Sequence, residues 1–498
     1  MRLTGLASGL DIDSMVQELM AARRKPYDNL FQKKTTMQWQ REQYREVSAK
    51  LVDFSLNKLS SYSLSSAISA KKAQVTGSTT AVSSTATSGA ATGTMTVSIA
   101  QLATATRYTS SASGGLTGGP IDLSSTLQEL KDSHGLTYTA VDSTITLEIN
   151  GTEITLNENE DTMATLISKI NSKTDVNAVF DSGSGKLSLT TKETGAAADV
   201  AIVGDVLDVF DLEWNVAGED AVATVNGLQI TSASNKISIN GVELTFLEVT
   251  DGSEATISVG TDTEKIMDTI KSFINDYNEV LNLLNGKVNE ERYRTYQPLT
   301  TEQKAEMKDS EIELWEERAK SGLLQRDSIL TSLVSNMRLG SISNVNVDGV
   351  EINLTSLGIT TGAWEERGKL VIKDEAALRD AIEDNPEQVM AFFTQKSTDK
   401  TPAAEDAGLF TRLTNSVSAS LKDLAEKAGT SRYSAELTTK FMENSLMGEQ
   451  LLQLERRMDT VNSQLLRMEN QYYKQFAAME SAINKFNSQA GALASFMA

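Results

Sequence analysis

The chain has no cysteine among its 498 residues and a single histidine, His134. The first absence excludes disulfide scaffolds, thiolate zinc sites and thiol nucleophiles, and the second excludes any motif that needs two imidazoles on one metal. Neither requires nor forbids an oxidising destination. Proline is held to five residues, which suits long helices and leaves few slow cis/trans steps for a chain that folds after being threaded somewhere. There is no run of about eighteen apolar residues, so no membrane insertion is expected. Asp11 and Asp13 interrupt the opening LTGLASGL before a signal-peptide core can form, which predicts a cytosolic protein or one exported without a cleaved signal. Basic charge is also short: 46 Lys and Arg stand against 67 Asp and Glu, a net charge of −21. Nucleic acid is therefore not an expected partner, because phosphate neutralisation calls for clustered cations. The acidity reads as a solubility feature.

What is present is helical periodicity at both ends. From Ser445 onward, Leu451, Leu454, Met458, Val461, Leu465, Met468 and Tyr472 recur at steps of three and four, the seam of a coiled-coil helix that needs a partner. Phe476, Met479, Ile483 and Phe486 extend it after a stutter. A helix over residues 445 to 488 would be about 65 Å long, longer than a typical domain is wide. Near the other end, Leu30, Met37, Tyr44 and Leu51 repeat every seven residues, joined by Val47 and Phe54 and weakened by Lys33 and Gln40. The predicted arrangement is a stalk of both termini, its apolar seams docking on neighbouring subunits, with the middle of the chain forming the head.

The length implies roughly two to four domains. Residues 1–59 read as an N-terminal leg and stalk, in which Asp11 or Asp13 caps a short helix with Met15, Val16, Leu19 and Met20 on its apolar face and Pro26 breaks or restarts it. Arg23, Arg24, Lys25, Lys33 and Lys34 cluster around that break and read as a solvated face. Residues 60–120 and 215–262, rich in Ser, Thr, Ala and Gly, predict a discontinuous β-rich domain, with SASGGLTGGP at 111–120 as a linker into the next unit.

An inserted α+β module is expected over 121–214, marked by a hairpin signature. Ile149-Asn150-Gly151, Val225-Asn226-Gly227, Ile239-Asn240-Gly241 and Val347-Asp348-Gly349 each sit between alternating apolar residues. Asn-Gly and Asp-Gly supply the two positive φ angles of a type I′ turn. Met163, Leu166, Ile167 and Ile170 trace a helix face in the module, and a further hairpin closes from Asp181 through Gly185 into Leu187 and Leu189. A helical domain follows over 263–444. It opens with a capping box of Thr261 and Glu264, continues in helices at 301–320 and 323–339, holds a small β piece at 341–372, starts one helix at Pro386 and ends another at Gly429. Residues 445–498 are the C-terminal coiled-coil leg. The fold class is thus α+β multidomain: terminal coiled-coil helices forming a stalk, a helical bundle domain and two inserted β-rich domains.

No catalytic constellation emerges. DSGSGKL around Lys186 resembles a phosphate loop, but Phe180 precedes it where glycine belongs, Leu187 replaces the hydroxyl residue, and the context is a hairpin. His134 reads as a surface loop residue. The pairs Glu316 with Glu317 and Glu365 with Glu366 lie in charged, solvated surroundings, whereas catalytic carboxylates need a cleft. No cofactor and no metal site is expected.

Three stretches carry a specific resemblance. GLASGLDIDSMVQELMAARRKPYDNL at the start, YQPLTTEQKAEMKDSEIELWEERAKSGLLQRD over 296–327 and GKLVIKDEAALRDAIEDNPEQVMAFF over 368–393 resemble the flagellar hook-associated protein 2 family of bacterial filament caps. Residues 149–195 are similar to a repeat of flagellins and hook-associated proteins. The resemblance implies export through the flagellar type III apparatus without a cleaved signal. It also implies a homo-oligomeric ring, of about five subunits, closed by rotation at the distal filament tip. That ring would insert exported flagellin and prevent its leakage. The terminal helices would be legs into the filament, and an export chaperone would bind the C-terminal leg. Two alternatives are an adhesin or glycan-binding module on the same scaffold, and an enzyme hidden in the central domain.

Overall fold

The computed structural model describes residues 11–497, and the chain divides into two compact units. One is built from both chain ends, up to Ile68 and from Thr263 on, and the other from Ser69–Asp262.

The helical unit begins with α1, Ile12–Val52, capped by Asp11, whose side chain accepts from the Ser14 amide at 3.1 Å. Contrary to the expected break, α1 runs unbroken through Pro26. Proline removes one helix hydrogen bond and crowds the preceding turn, but α1 packs lengthwise on the C-terminal helix, and that tertiary contact overrides the local penalty. A π segment, Asp53–Leu59, continues it. Phe54 and Leu59, five residues apart, are both buried, and five is the hydrogen-bond step of a π turn. Two short helices, α2 (Ser60–Tyr62) and α3 (Ser65–Ile68), close this segment.

The second unit has two cores. Strands β1 (Lys71–Gly77), β2 (Val82–Ala86), β3 (Gly93–Gln101) and β4 (Arg107–Ser110) come first, then α4 (Leu127–His134). Next are β5 (Thr144–Ile149), β6 (Thr152–Asn157), α5 (Met163–Lys173), β7 (Val176–Asp181), β8 (Lys186–Thr191), β9 (Ile202–Val203) and β10 (Leu212–Val216). The last are β11 (Ala221–Val225), β12 (Leu228–Ser232), β13 (Lys236–Ile239), β14 (Val242–Phe246) and β15 (Ala255–Thr261). One core lies between a five-stranded sheet, β1-β15-β3-β11-β12, and a three-stranded one, β13-β14-β2, around Val97, Ile99, Leu244, Phe246 and Ile257. The other gathers the sheets β10-β4-β8-β7 and β6-β5-β9 with α4 and α5 around Leu147, Leu166, Ile170, Leu189 and Phe210.

The Asn-Gly turns form as expected. Asn150, Asn226, Asn240 and the glycines after them all have positive φ, and the flanking residues pair directly across each two-residue turn. The glycine-rich stretch 111–120 is no linker. Leu116 is buried in the second core, its amide donates to the Gly185 carbonyl, and a Cβ on Gly114 would collide with the Phe210 carbonyl. Glycine serves close approach here, not flexibility. With β4 between β10 and β8, this core reaches back to Arg107 and forward to Val216 instead of spanning 121–214.

The chain then returns to the helical unit with α6, Thr263–Asn289. Thr261 is the last residue of β15, paired with Lys71, and so is not the cap of this helix. Where two helices were expected there are three: α7 (Thr301–Ala305), α8 (Asp309–Lys320) and α9 (Ser328–Ile342). Thr300, not a residue of the apolar pattern, starts the first, and Asp327 starts the last. The small β piece is two hairpins, β16 (Val345–Val347) with β17 (Val350–Ile352), and β18 (Ile359–Thr361) with β19 (Leu370–Ile372). Asp348 and Gly349 make the fourth positive-φ turn. Helices α10 (Glu375–Asp384), α11 (Pro386–Thr394) and α12 (Leu409–Ala428) follow, the last ended by left-handed Gly429, and α13 spans Leu446–Met497. Phe273, Phe393 and Phe410 stack at centroid distances of 4.9 to 6.1 Å in the core.

Candidate assembly surface

The predicted seams meet each other first. Tyr473 donates to Asp13 at 3.0 Å and Lys34 pairs with Glu455 at 2.9 Å, so α1 and α13 run antiparallel. Leu451, Leu454, Met458 and Leu465 are buried, while Val461, Met468 and Tyr472 are half-buried. Because Asp13 is level with Tyr473, the turns of α13 beyond that point run past the first described turn of α1. On those turns Phe476 and Ile483 are half-buried, and Met479 and Phe486 are 38% and 69% exposed.

The N-terminal seam is placed differently from the expectation. Tyr44, Val47, Leu51 and Phe54 are fully buried in the core of the helical unit, and Leu30 and Met37 are half-buried. Four of the six seam residues are therefore inside the protein's own core, because α6 and α12 close over them, and those four offer nothing to a neighbouring chain.

One of the polar interruptions, Gln40, has a use that it shares with Gln32 and Gln43. Gln32, Gln40 and Gln43 donate to the carbonyls of Pro298, Leu323 and Lys320 at 3.0, 3.0 and 2.8 Å. They fasten the segment 297–323 to α1, with Lys320 Nζ 4.9 Å over the Trp39 ring. Sequence periodicity missed this, although a glutamine at i and i+8 on one helix face was a visible signal.

Charged groups tie the same helix down further along. Asp327 accepts from Lys427 and Tyr44 through one oxygen, both at 2.6 Å, and from the Ile329 and Leu330 amides through the other. Burial alone would raise this carboxyl, but the bonds from Lys427, Tyr44 and the Leu330 amide outweigh it and hold its pKa below the usual carboxylate value. Arg41 donates to the Ala428 carbonyl at the end of α12, where the helix dipole is negative, and to the Met442 carbonyl, and stacks 4.2 Å over Phe441. Arg412 is fully buried and is satisfied by the carbonyls of Ala404, Gly340, Ser343 and Asn344.

The other singled-out residues lie apart. His134 ends α4 rather than sitting in a loop, its Nδ1 2.7 Å from the Thr117 carbonyl. Lys186 opens β8 and donates to the Ser111 carbonyl. Glu316 pairs with Lys304 and Lys320, and Glu366 accepts from the Ala363 amide. Of the basic cluster, Arg24 pairs with Glu302 at 2.7 Å. Among the described residues no group of three or more His, Asp or Glu is placed to hold a metal ion, and no helix is long and apolar enough to cross a membrane.

A long antiparallel helix pair in one unit, a mid-chain β unit in the other, and an α13 seam that runs past the first described turn of α1 define the class, a multidomain α+β protein with a terminal helix pair. Comparison with known proteins agrees. The family model for the flagellar hook-associated protein 2 C-terminus matches residues 218–488, that for its N-terminus residues 8–106, and the flagellin hook IN motif residues 137–193. The flagellar hook-associated protein 2 of Halalkalibacterium halodurans is 30% identical over all of this chain and 99% of its own length. That of Escherichia coli is 25% identical over 72% of this chain and 73% of its own. The crystal structure of the D1-D2-D3 domains of the flagellar cap protein FliD from Escherichia coli covers 78% of this chain and 97% of its own, with a TM-score of 0.52 at 22% identity, and so shares the fold. The chain belongs to the flagellar hook-associated protein 2 family.

Proposed function

We propose that this chain caps the distal tip of the bacterial flagellar filament as a homo-oligomeric ring that inserts exported flagellin and prevents its leakage. Family membership supports the reading, and one observation carries it: α13 continues its apolar seam, through Phe476, Met479, Ile483 and Phe486, past the first described turn of α1. On those turns Met479 and Phe486 are exposed among the described residues, and an exposed coiled-coil stripe is completed by another helix. On this reading the distal part of α13 is the leg that meets flagellin. Its partners before assembly are the export chaperone and the type III export apparatus, and the protein acts outside the cell.

The role on this reading is structural, as the names of the similar proteins support. Among the described residues, Asp327 is taken up as a helix cap and Arg412 as a carbonyl ligand. The names of the similar proteins lend nothing to the adhesin alternative.

The test is to truncate the chain after Lys474 in the motile bacterium. Flagellin monomer in the medium, with the truncated protein still folded, is the expected result. Filaments of normal length and no leaked flagellin would overturn the reading.

A further inference from the structure

The four-stranded sheet β10-β4-β8-β7 has two unlike edges. On one, β10 carries Trp214, an indole 66% exposed. Beside the other, a groove of about 560 Å³ opens between α5 and β7, its floor Leu123, Ala164, Ile167 and Phe180 with Ser168, Asn171 and Ser172 also lining it. Leu123 is 40% exposed there. A knob and a hole of apolar character sit at opposite ends of one sheet.

The register places both on the same face. Trp214 lies opposite Tyr108, Tyr108 opposite Leu189 and Leu189 opposite Ala178, and directly opposed residues project to one side of a sheet. Phe180, two residues on from Ala178, shares that side. The four strands alternate in direction, so β10 and β7 run opposite ways. A second copy displaced sideways along the sheet therefore brings its β10 antiparallel to β7, with its Trp214 on the side of the groove.

The backbone at β7 is already closed. Asn171 bonds both the amide and the carbonyl of Ala178, Thr174 Oγ1 accepts from the Val176 amide, and the Ser182 carbonyl accepts from Ile121. Strand addition is blocked at these positions, so a neighbour meets this edge with side chains. An indole in an apolar pocket is the kind of anchor that dominates an interface.

We propose that copies of this chain associate head to tail through this sheet, Trp214 of one seated in the groove of Leu123, Ile167 and Phe180 of the next. A knob and a hole on different surfaces make a heterologous contact, which closes into a ring when the rotation allows. The proposal rests on the ring reading above and names the surface that builds it.

The absence of native cysteine makes the test clean. The full chain is prepared with Trp214→Cys, with Ala164→Cys, and with both, then oxidised mildly and run without reductant, while light scattering follows self-association of the unaltered chain. The two edges are three strand spacings, about 14 Å, apart, beyond disulfide reach within one molecule. The double variant should give a ladder of covalent multimers, a mixture of the two single variants only dimers, and each single variant alone none. Trp214→Arg should weaken self-association at least ten-fold with unfolding unchanged. Oligomers without a ladder would overturn this surface and leave the capping reading standing. A Trp214→Cys chain that cross-links to itself would overturn the head-to-tail arrangement. A chain that stays monomeric without a ladder would overturn the surface too, with capping then judged by flagellin leakage alone.

Discussion

The phenol of Tyr44 donates to Asp327 at 2.6 Å, on the same oxygen that Lys427 reaches at 2.6 Å. One carboxylate thereby joins α1, the start of α9 and the last turn of α12. Removing its charge leaves the Lys427 ammonium, 31% exposed and 4.9 Å over the Tyr44 ring, without its carboxylate. Asp327→Asn should cost about 2–4 kcal/mol, Asp327→Ala about 1 kcal/mol more through the lost cap, and Tyr44→Phe about 1 kcal/mol. Urea unfolding of the three variants checks the order.

The same carboxylate sets an acid limit. Its pKa is lowered in the folded state, so the unfolded chain binds its proton first as pH falls. The stabilisation is complete above the ordinary carboxylate value near 4 and is lost as pH drops through the lower folded value. Unfolding measured between about pH 5 and pH 2 should show a steeper loss in the native chain than in Asp327→Asn.

The two halves of the α13 seam should separate stability from function. Leu451→Ala and Leu454→Ala remove buried methyl groups and should each cost about 2–3 kcal/mol. Met479→Ser with Phe486→Ser touches exposed positions and should leave stability within about 0.5 kcal/mol. Flagellin should nonetheless leak from the strain carrying the second pair, as measured in the culture medium.

Pro26 sits in the interior of α1 without an amide to give. Pro26→Ala restores that bond and should stabilise the helical unit by about 1–3 kcal/mol. Thermal unfolding reads the gain, and amide exchange should slow around residues 22 to 30.

Two turns of the same type should respond differently to alanine. Gly227 has φ +81° with open space around a Cβ, so Gly227→Ala carries only the left-handed strain, about 1–2 kcal/mol. Gly241 has φ +80° but faces the backbone of Ala90 at 2.9 Å, so Gly241→Ala should cost about 1–3 kcal/mol more than Gly227→Ala. Paired urea titrations compare them.

The Asn-Gly turns could be read from sequence because their requirement is local: two adjacent residues must accept positive φ, and few pairs do so cheaply. The α13 seam was legible for a similar reason, since its period is written in consecutive turns. The placement of the N-terminal seam was not. Leu51 and Leu454 show the same spacing pattern, and only the packing of α6 and α12 over α1 separates a core residue from one on a helix pair. Gln40 looked like a defect in a seam because its acceptor, the Leu323 carbonyl, lies 283 residues away.

By itself the sequence determined the helical periodicity near both ends, the hairpin turns, the lack of thiol chemistry and the resemblance to filament caps, none of which needs a record of distant contacts. Tertiary structure alone decided that Pro26 lies within an unbroken helix, that residues 111–120 are packed against Phe210, and that β4 joins the second core. It also placed Trp214 and Phe180 on one face of a sheet. Each of those outcomes depends on which distant backbone comes alongside, and a local period carries no record of that.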